Sequence, residues 1–202
     1  MKKIISSGAL LWILVALFIN GCVSGAPSGD YQELLQTHTQ SKKVYDGFVE
    51  ILEYNSAFLS RDLAEAQVRE NSRIYQYSEV QLNNEMATVQ ANLAKQSEFF
   101  LSLFVTESKY DDLSKKGTKW KVFLDVDSKR YEAKAIRVKS QLIDIQSLYP
   151  FHNRFTTAYR LIFPVPTSVI ESNPSKLTLT GPVTSVAIDY DKGLSEKSSS
   201  LR

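Results

Sequence analysis

Two Asp-x-Asp pairs have the spacing that cation chemistry asks for: Asp125 with Asp127, and Asp189 with Asp191. Residues two apart on a strand project to the same side. Calcium takes about 6–8 oxygen ligands, so at least two such acidic spots must meet in space. Asp111 and Asp112 supply a third. The competing reading is solvated strand ends opposed by Lys129, Arg130 and Lys192. The chain has two histidines and one cysteine, which leaves no cysteine zinc site and little for a histidine cluster. His38 falls on an apolar stripe, where a packed ring with one hydrogen bond is the expectation. His152 lies among aromatic residues, and Tyr149, Phe151, His152 and Arg154 form a small candidate recognition patch. Its competing reading is an aromatic plug at a corner of the fold. Lys115, Lys116, Lys119 and Lys121 surround Trp120, as in a basic patch or in a solvated loop ahead of a strand. There is no nucleophile elbow, phosphate-binding glycine loop, dinucleotide fingerprint or zincin helix. No catalytic residue is assigned, and a non-enzymatic role is expected.

The elements that must position these residues follow from periodicity. Residues 30–96 contain one glycine and no proline, which favours helices. Asp30 with Glu33 reads as a capping box. Tyr31, Leu34, Leu35, His38, Tyr45, Phe48, Ile51 and Leu52 then recur at three- and four-residue steps, as on one long amphipathic helix. Gly47 inside that stripe is read as tolerated, or as allowing a close approach. Ser60 suits a second N-cap, and Ser78 with Gln81 forms another capping box, followed by Leu82, Met86, Val89 and Leu93. Three helices are expected, near 30–55, 60–75 and 78–95. From Phe99 the period changes to two. Phe99, Leu101, Leu103 and Val105 alternate with Phe100, Ser102, Phe104 and Thr106. Strands are expected there, from Trp120 to Val126, over 130–138, over 143–149, over 155–165, and over 176–180 and 183–190. Seven short strands read as an antiparallel, immunoglobulin-like β-sandwich of residues 97–191, so the fold class is α+β. The tail 192–202 is polar and Ser-rich, and disorder is expected.

The N-terminus carries an address. Lys2 and Lys3 precede an uncharged, mostly apolar run from Ile4 to Ile19. That run is short for a spanning helix, which takes about 20 residues, and suits a removed signal peptide over 1–21. Ile19-Asn20-Gly21-Cys22 resembles the lipobox of bacterial lipoproteins, with an aliphatic residue at −3, a small one at −1 and a cysteine. The match departs from the pattern at Asn20. The resemblance implies cleavage between Gly21 and Cys22, diacylglycerol on the Cys22 thiol and acylation (palmitate) of the new amino group. It also implies outer-membrane placement in a diderm cell, because Val23 rather than Asp follows the cysteine. An ordinary signal peptide with a chance cysteine, or an uncleaved anchor, are the alternatives. Residues 22–29 then form the lipidated Cys22 and a flexible tether. The layout also resembles uncharacterised bacterial lipoproteins that set a helical segment before a small β-domain, through LYPFHNRF and RLIFP.

Composition bounds the rest. The 202 residues are 43% hydrophobic and 23% charged, as in ordinary globular chains. Cleavage would remove Lys2 and Lys3, leaving 22 basic against 22 acidic residues. The basic balance belongs to the precursor and implies no nucleic-acid partner. The expected function is a lipid-anchored, extracytoplasmic module that binds an envelope protein or serves a structural role. The alternative is a small-molecule or glycan-binding β-domain, possibly with calcium. No cofactor is expected beyond the lipid on Cys22.

Overall fold

The segment Ser97–Val105 sorts the layers of the molecule. Its odd-numbered residues Phe99, Leu101, Leu103 and Val105 enter one apolar core, and Phe100 enters a second on the opposite face. A strand can do this because successive side chains point to opposite sides. A computed structural model describes residues 29–190 of the chain. Gly21, Cys22, Asp191 and the tail 192–202 lie outside the described residues.

The order is α1 (Gly29–His38), β1 (Thr39–Asp46), β2 (Val49–Phe58), α2 (Arg61–Tyr75), α3 (Glu79–Leu93) and β3 (Ser97–Val105). A short 3-10 turn at Ser108–Tyr110 precedes β4 (Lys121–Val126), β5 (Lys129–Glu132) and β6 (Lys134–Arg137). Then come α4 (Leu142–Leu148), β7 (Thr157–Phe163), α5 (Thr167–Ser172), β8 (Ser175–Thr180) and β9 (Ser185–Tyr190). The fold is α+β, with antiparallel sheets of five strands, β1-β2-β3-β7-β6, and four, β5-β4-β8-β9. Inward residues of both sheets make one core, from Leu52 and Leu161 to Leu124 and Leu177. The second core lies on the far side of the five-stranded sheet, where α1, α2 and α4 cover Phe100 and Ala158.

Three expectations change. The helix read over 30–55 ends at His38, and the chain continues as the β1–β2 hairpin. Asp46 pairs with Val49 around Gly47 and Phe48, and Gly47 has φ 59°. A two-residue turn of the II′ kind requires glycine at that first central position. So Gly47 is a turn residue, and the helical spacing of Tyr45, Phe48, Ile51 and Leu52 is coincidence. Residues 143–149 fall mostly in helix α4 rather than a strand, because Ile145 and Tyr149, four apart, both reach the second core. Segment 130–138 is divided between two strands that belong to different sheets, with Ala133 between them. The described chain therefore has nine strands rather than seven, and two come from the segment read as helical.

The second and third helices lie where their caps put them. Ser60 Oγ accepts from the Leu63 amide at 3.2 Å. Ser78 and Gln81 close a full capping box, at 3.3 Å and 2.9 Å. Asp30, read as a cap, lies inside the first turn of α1.

Candidate functional site

The outward residues of the five-stranded sheet face the helices and form the floor of a cleft. On β3 and β7 these are Glu98, Phe100 and Arg160, with Phe100 directly opposite Arg160 in the register. Arg160 grips Glu98 with two parallel bonds, Nε to Oε1 at 2.5 Å and Nη2 to Oε2 at 2.6 Å. Such a fork matches the planar guanidinium to the carboxylate and holds both in one place. Tyr149, just after α4, lies flat on Phe100, with ring centres 3.6 Å apart and planes 3° apart. Its hydroxyl accepts from Gln67 Nε2 at 3.0 Å, which ties α2 to the floor. Burial raises the Tyr149 phenol above its usual range, so it stays a neutral hydrogen-bonding group.

Helices α2, α3 and α4 wall the cleft, which has a volume of about 480 Å³. That lies within the range that takes a small ligand or a short peptide segment. The α3 wall is unusual. Leu82, Met86, Val89 and Leu93 of α3 are only half-buried, α3 has no fully buried residue, and of the four Val89 and Leu93 line the cleft. Gln90 Nε2 donates to Glu65 Oε1 at 3.1 Å, one polar tie from α3 to α2. On the α2 wall, the Asn71 side-chain oxygen is buried with no hydrogen-bond partner among the described residues. An unpartnered buried acceptor costs free energy that a bound donor can recover.

The residues singled out from the sequence are distributed as follows. Tyr149 lines the cleft, while Phe151 packs against the second core beside it, in edge contact with Phe100 and Tyr149. His152 is buried and points elsewhere. Its Nδ1 lies 2.9 Å from both Ser102 Oγ and Thr156 Oγ1, and Ser102 donates to Thr156 at 2.8 Å. Ser102 and His152 have the distance of a nucleophile and its base, and both are buried. Arg154 is exposed and stacks on exposed Phe155, with Cζ 4.8 Å from the ring centre. The patch is thus split between packing and surface. His38 is buried as expected, with Nδ1 2.8 Å from the Leu34 carbonyl oxygen.

Of the acidic pairs, Asp125, Asp127 and Asp189 are described. Asp125 and Asp189 do share one face of the four-stranded sheet, but Lys176 stands between them in the register β4-β8-β9. Arg130 holds Asp125 from the other side with bonds of 2.7 and 2.9 Å, and Lys176 lies 3.4 Å from Asp189. The Arg130 hydrogen bonds hold the Asp125 carboxyl below its usual range. Asp127 is instead a turn residue. It and Ser128 have φ of 49° and 58°, the left-handed pair a two-residue I′ hairpin needs. Asp112 caps its own loop by accepting from Ser114 N at 2.8 Å. Among the described residues, no group of three His, Cys, Asp or Glu could hold a metal ion. Trp120, ringed by lysines in the sequence, is a core residue whose Nε1 donates to the Tyr110 carbonyl oxygen at 2.7 Å. Lys121 pairs with Glu132 across β4 and β5.

Both histidine rings are pushed down from their ordinary value, chiefly by burial, which penalises the charged form. A base lowered in the folded state takes up its proton first in the unfolded chain. Stability is therefore full above about pH 6.5 and falls as pH drops through that value. A melt series from about pH 8 to pH 5.5 should show a falling Tm, with a shallower fall in His152→Gln. A flat wild-type series would mean that both rings charge without cost in the fold.

No family model matches the chain, and no curated protein matches it. One solved structure with a detectable likeness is a crystal structure of a novel protein of unknown function from Burkholderia pseudomallei K96243. It shares 13% identity over 85% of this chain and 88% of that one, with a TM-score of 0.40.

Proposed function

We propose that the chain is a lipid-anchored envelope lipoprotein that binds a partner protein without catalysis, through the cleft under α3. The observation that carries this is the α3 stripe. Val89 and Leu93 of that stripe line the cleft yet remain half-buried, and the cleft also offers Asn71 and the Glu98–Arg160 pair. A segment with apolar side chains and a donor to Asn71 suits such a lining. The signal-like start and the lipobox-like Ile19-Asn20-Gly21-Cys22 support the location, with lipid on Cys22 and the outer membrane as destination. Confinement to a surface raises the effective concentration of neighbours, so a modest interface suffices. The shared core of the two sheets supports reading them as a β-sandwich.

In-cell photocrosslinking from Asn92, on the cleft rim, tests this in the full chain. The expected result is a discrete adduct with an envelope protein, lost or much reduced in Cys22→Ala. Recovery of the chain alone would reject a protein partner. The same variant tests the address. Cys22→Ala should leave Tm unchanged and abolish detergent-sensitive membrane fractionation, because two or three acyl chains at about 0.8 kcal/mol per methylene dominate membrane affinity. Unchanged fractionation would reject lipidation at Cys22.

A further inference from the structure

Exposed bulky apolar side chains are concentrated at one end of the five-stranded sheet. The register shows which loops share that end. Asp46 pairs with Val49 at the β1–β2 turn, Leu52 pairs with Val105, and Leu103 pairs with Thr157. Tyr159 pairs with Arg137, and the Val138 amide donates to the Ala158 carbonyl oxygen. The β1–β2 turn, the segment before β7 and the segment after β6 therefore leave the sheet at the same end. These segments carry Tyr45, Phe48, Val49 and Phe155, four of the eight large apolar side chains exposed among the described residues. Phe48 is fully exposed, and Tyr45, Val49 and Phe155 are each more than half exposed. Of the other four, Leu142 and Ile143 open α4, and Tyr75 and Val80 flank the α2–α3 turn.

We propose that this end of the sheet lies against the lipid bilayer, with Phe48 and Phe155 inserted at the headgroup–acyl boundary. The inference rests on lipid anchoring at Cys22 and adds an orientation to it. Only seven peptide steps separate Cys22 from Gly29 at the start of α1, which span at most about 25 Å, so lipid on Cys22 would keep the folded part beside the membrane. Phe48 and Phe155 stand on two separate loops, the β1–β2 turn and the segment before β7. A fluid apolar phase accommodates separate protruding side chains, whereas a protein partner offers a shaped complement. Arg154 stacked on Phe155, and exposed Lys139 before Leu142, provide the cation-beside-apolar chemistry of interfacial anchors. Asp46 at the hairpin tip offsets attraction to anionic lipid, so apolar insertion carries the contact.

The test uses the full lipidated chain in phosphatidylcholine vesicles, with Phe48→Trp and Phe155→Trp as separate reporters. Trp120 is buried and supplies a constant background. Both sites are exposed, so the substitutions leave the packing intact. The expected result is that each new indole shifts to shorter wavelength and loses about half its emission or more to brominated lipid, while aqueous iodide quenches it weakly. If the chain floats with vesicles but the indoles stay open to iodide, membrane apposition is wrong and anchoring stands. If shielding appears only when envelope proteins are added, the occupant is protein and the proposal fails. If the chain neither floats nor carries lipid mass on Cys22, the anchor reading itself fails.

Discussion

Phe99→Ala is expected to destabilise the fold by about 3–5 kcal/mol, enough to unfold a marginally stable domain near physiological temperature. Phe99 has no exposed surface and sits where the two sheets meet. Its ring centre lies 5.0 Å from Phe58, 5.6 Å from Phe163 and 5.3 Å from Tyr190. These partners come from β2, β7 and β9, so the cavity left by truncation cannot close without moving strands of both sheets. Tyr190 also donates to the Ser56 carbonyl oxygen at 3.1 Å, which restrains its ring from collapsing inward. Phe99→Leu keeps much of the volume and should cost about 1.5 kcal/mol or less. Chemical denaturation of both variants gives the comparison. Equal, small losses would mean that Phe99 is not the hinge of the common core.

Gly181→Ala should cost about 1–3 kcal/mol although it adds one methyl group. A Cβ at Gly181 would overlap the Trp120 indole at Cδ2, Cε3 and Cζ3. The indole cannot swing away freely, because it is buried and its Nε1 is bound to the Tyr110 carbonyl oxygen. The glycine is held on its own side by its amide, which donates to the Thr184 carbonyl oxygen at 3.0 Å. Relief must come from one of these two bonds or from the Lys121 end of β4. Trp120→Leu should therefore be costly alone yet reduce the additional cost of Gly181→Ala. A double-mutant cycle by denaturation measures this, and strict additivity would show that the two residues do not press on each other. The lysines around Trp120 play no part in this, which separates the core role of the ring from the charge pattern around it.

Much of the fold was legible where one local rule acted without competition. The Ser78–Gln81 box and the Ser60 cap placed α2 and α3, because a cap is made within four residues of chain. The alternation in β3 and β7 placed Phe99, Leu101, Tyr159 and Leu161 together in the core. Two rules competed in the first segment. Apolar residues at Tyr45, Phe48, Ile51 and Leu52 fit a helical stripe, while Asp46-Gly47 is a hairpin signal of equal strength. The hairpin prevails because β2 can pair with β3 along Leu52 to Phe58, and that pairing is non-local. Alternation similarly misread Ile143, Ile145 and Tyr149.

The candidate site was much less legible. Tyr149 was singled out for its aromatic surroundings and does line the cleft, yet Asn71, Glu98 and Arg160 carried no motif. The one available signal was amphipathic: outward Glu98 and Arg160 interrupt otherwise apolar strands. Asp125 and Asp189 show the limit of linear spacing. Each belongs to an Asp-x-Asp pair, but spacing along one strand says nothing about Lys176, which stands between them on β8.

By itself the sequence determined the α+β class, two of the helix starts and the inward faces of the strands. All of these are set by contacts within a few residues or by local periodicity. The tertiary structure decided the β1–β2 hairpin, the two-sheet strand order, the cleft under α3 and the apolar end of the sheet. These depend on residues far apart in the chain meeting in register. Such pairings become favourable only when the intervening loops have closed and the shared core is buried, and no local pattern encodes that balance.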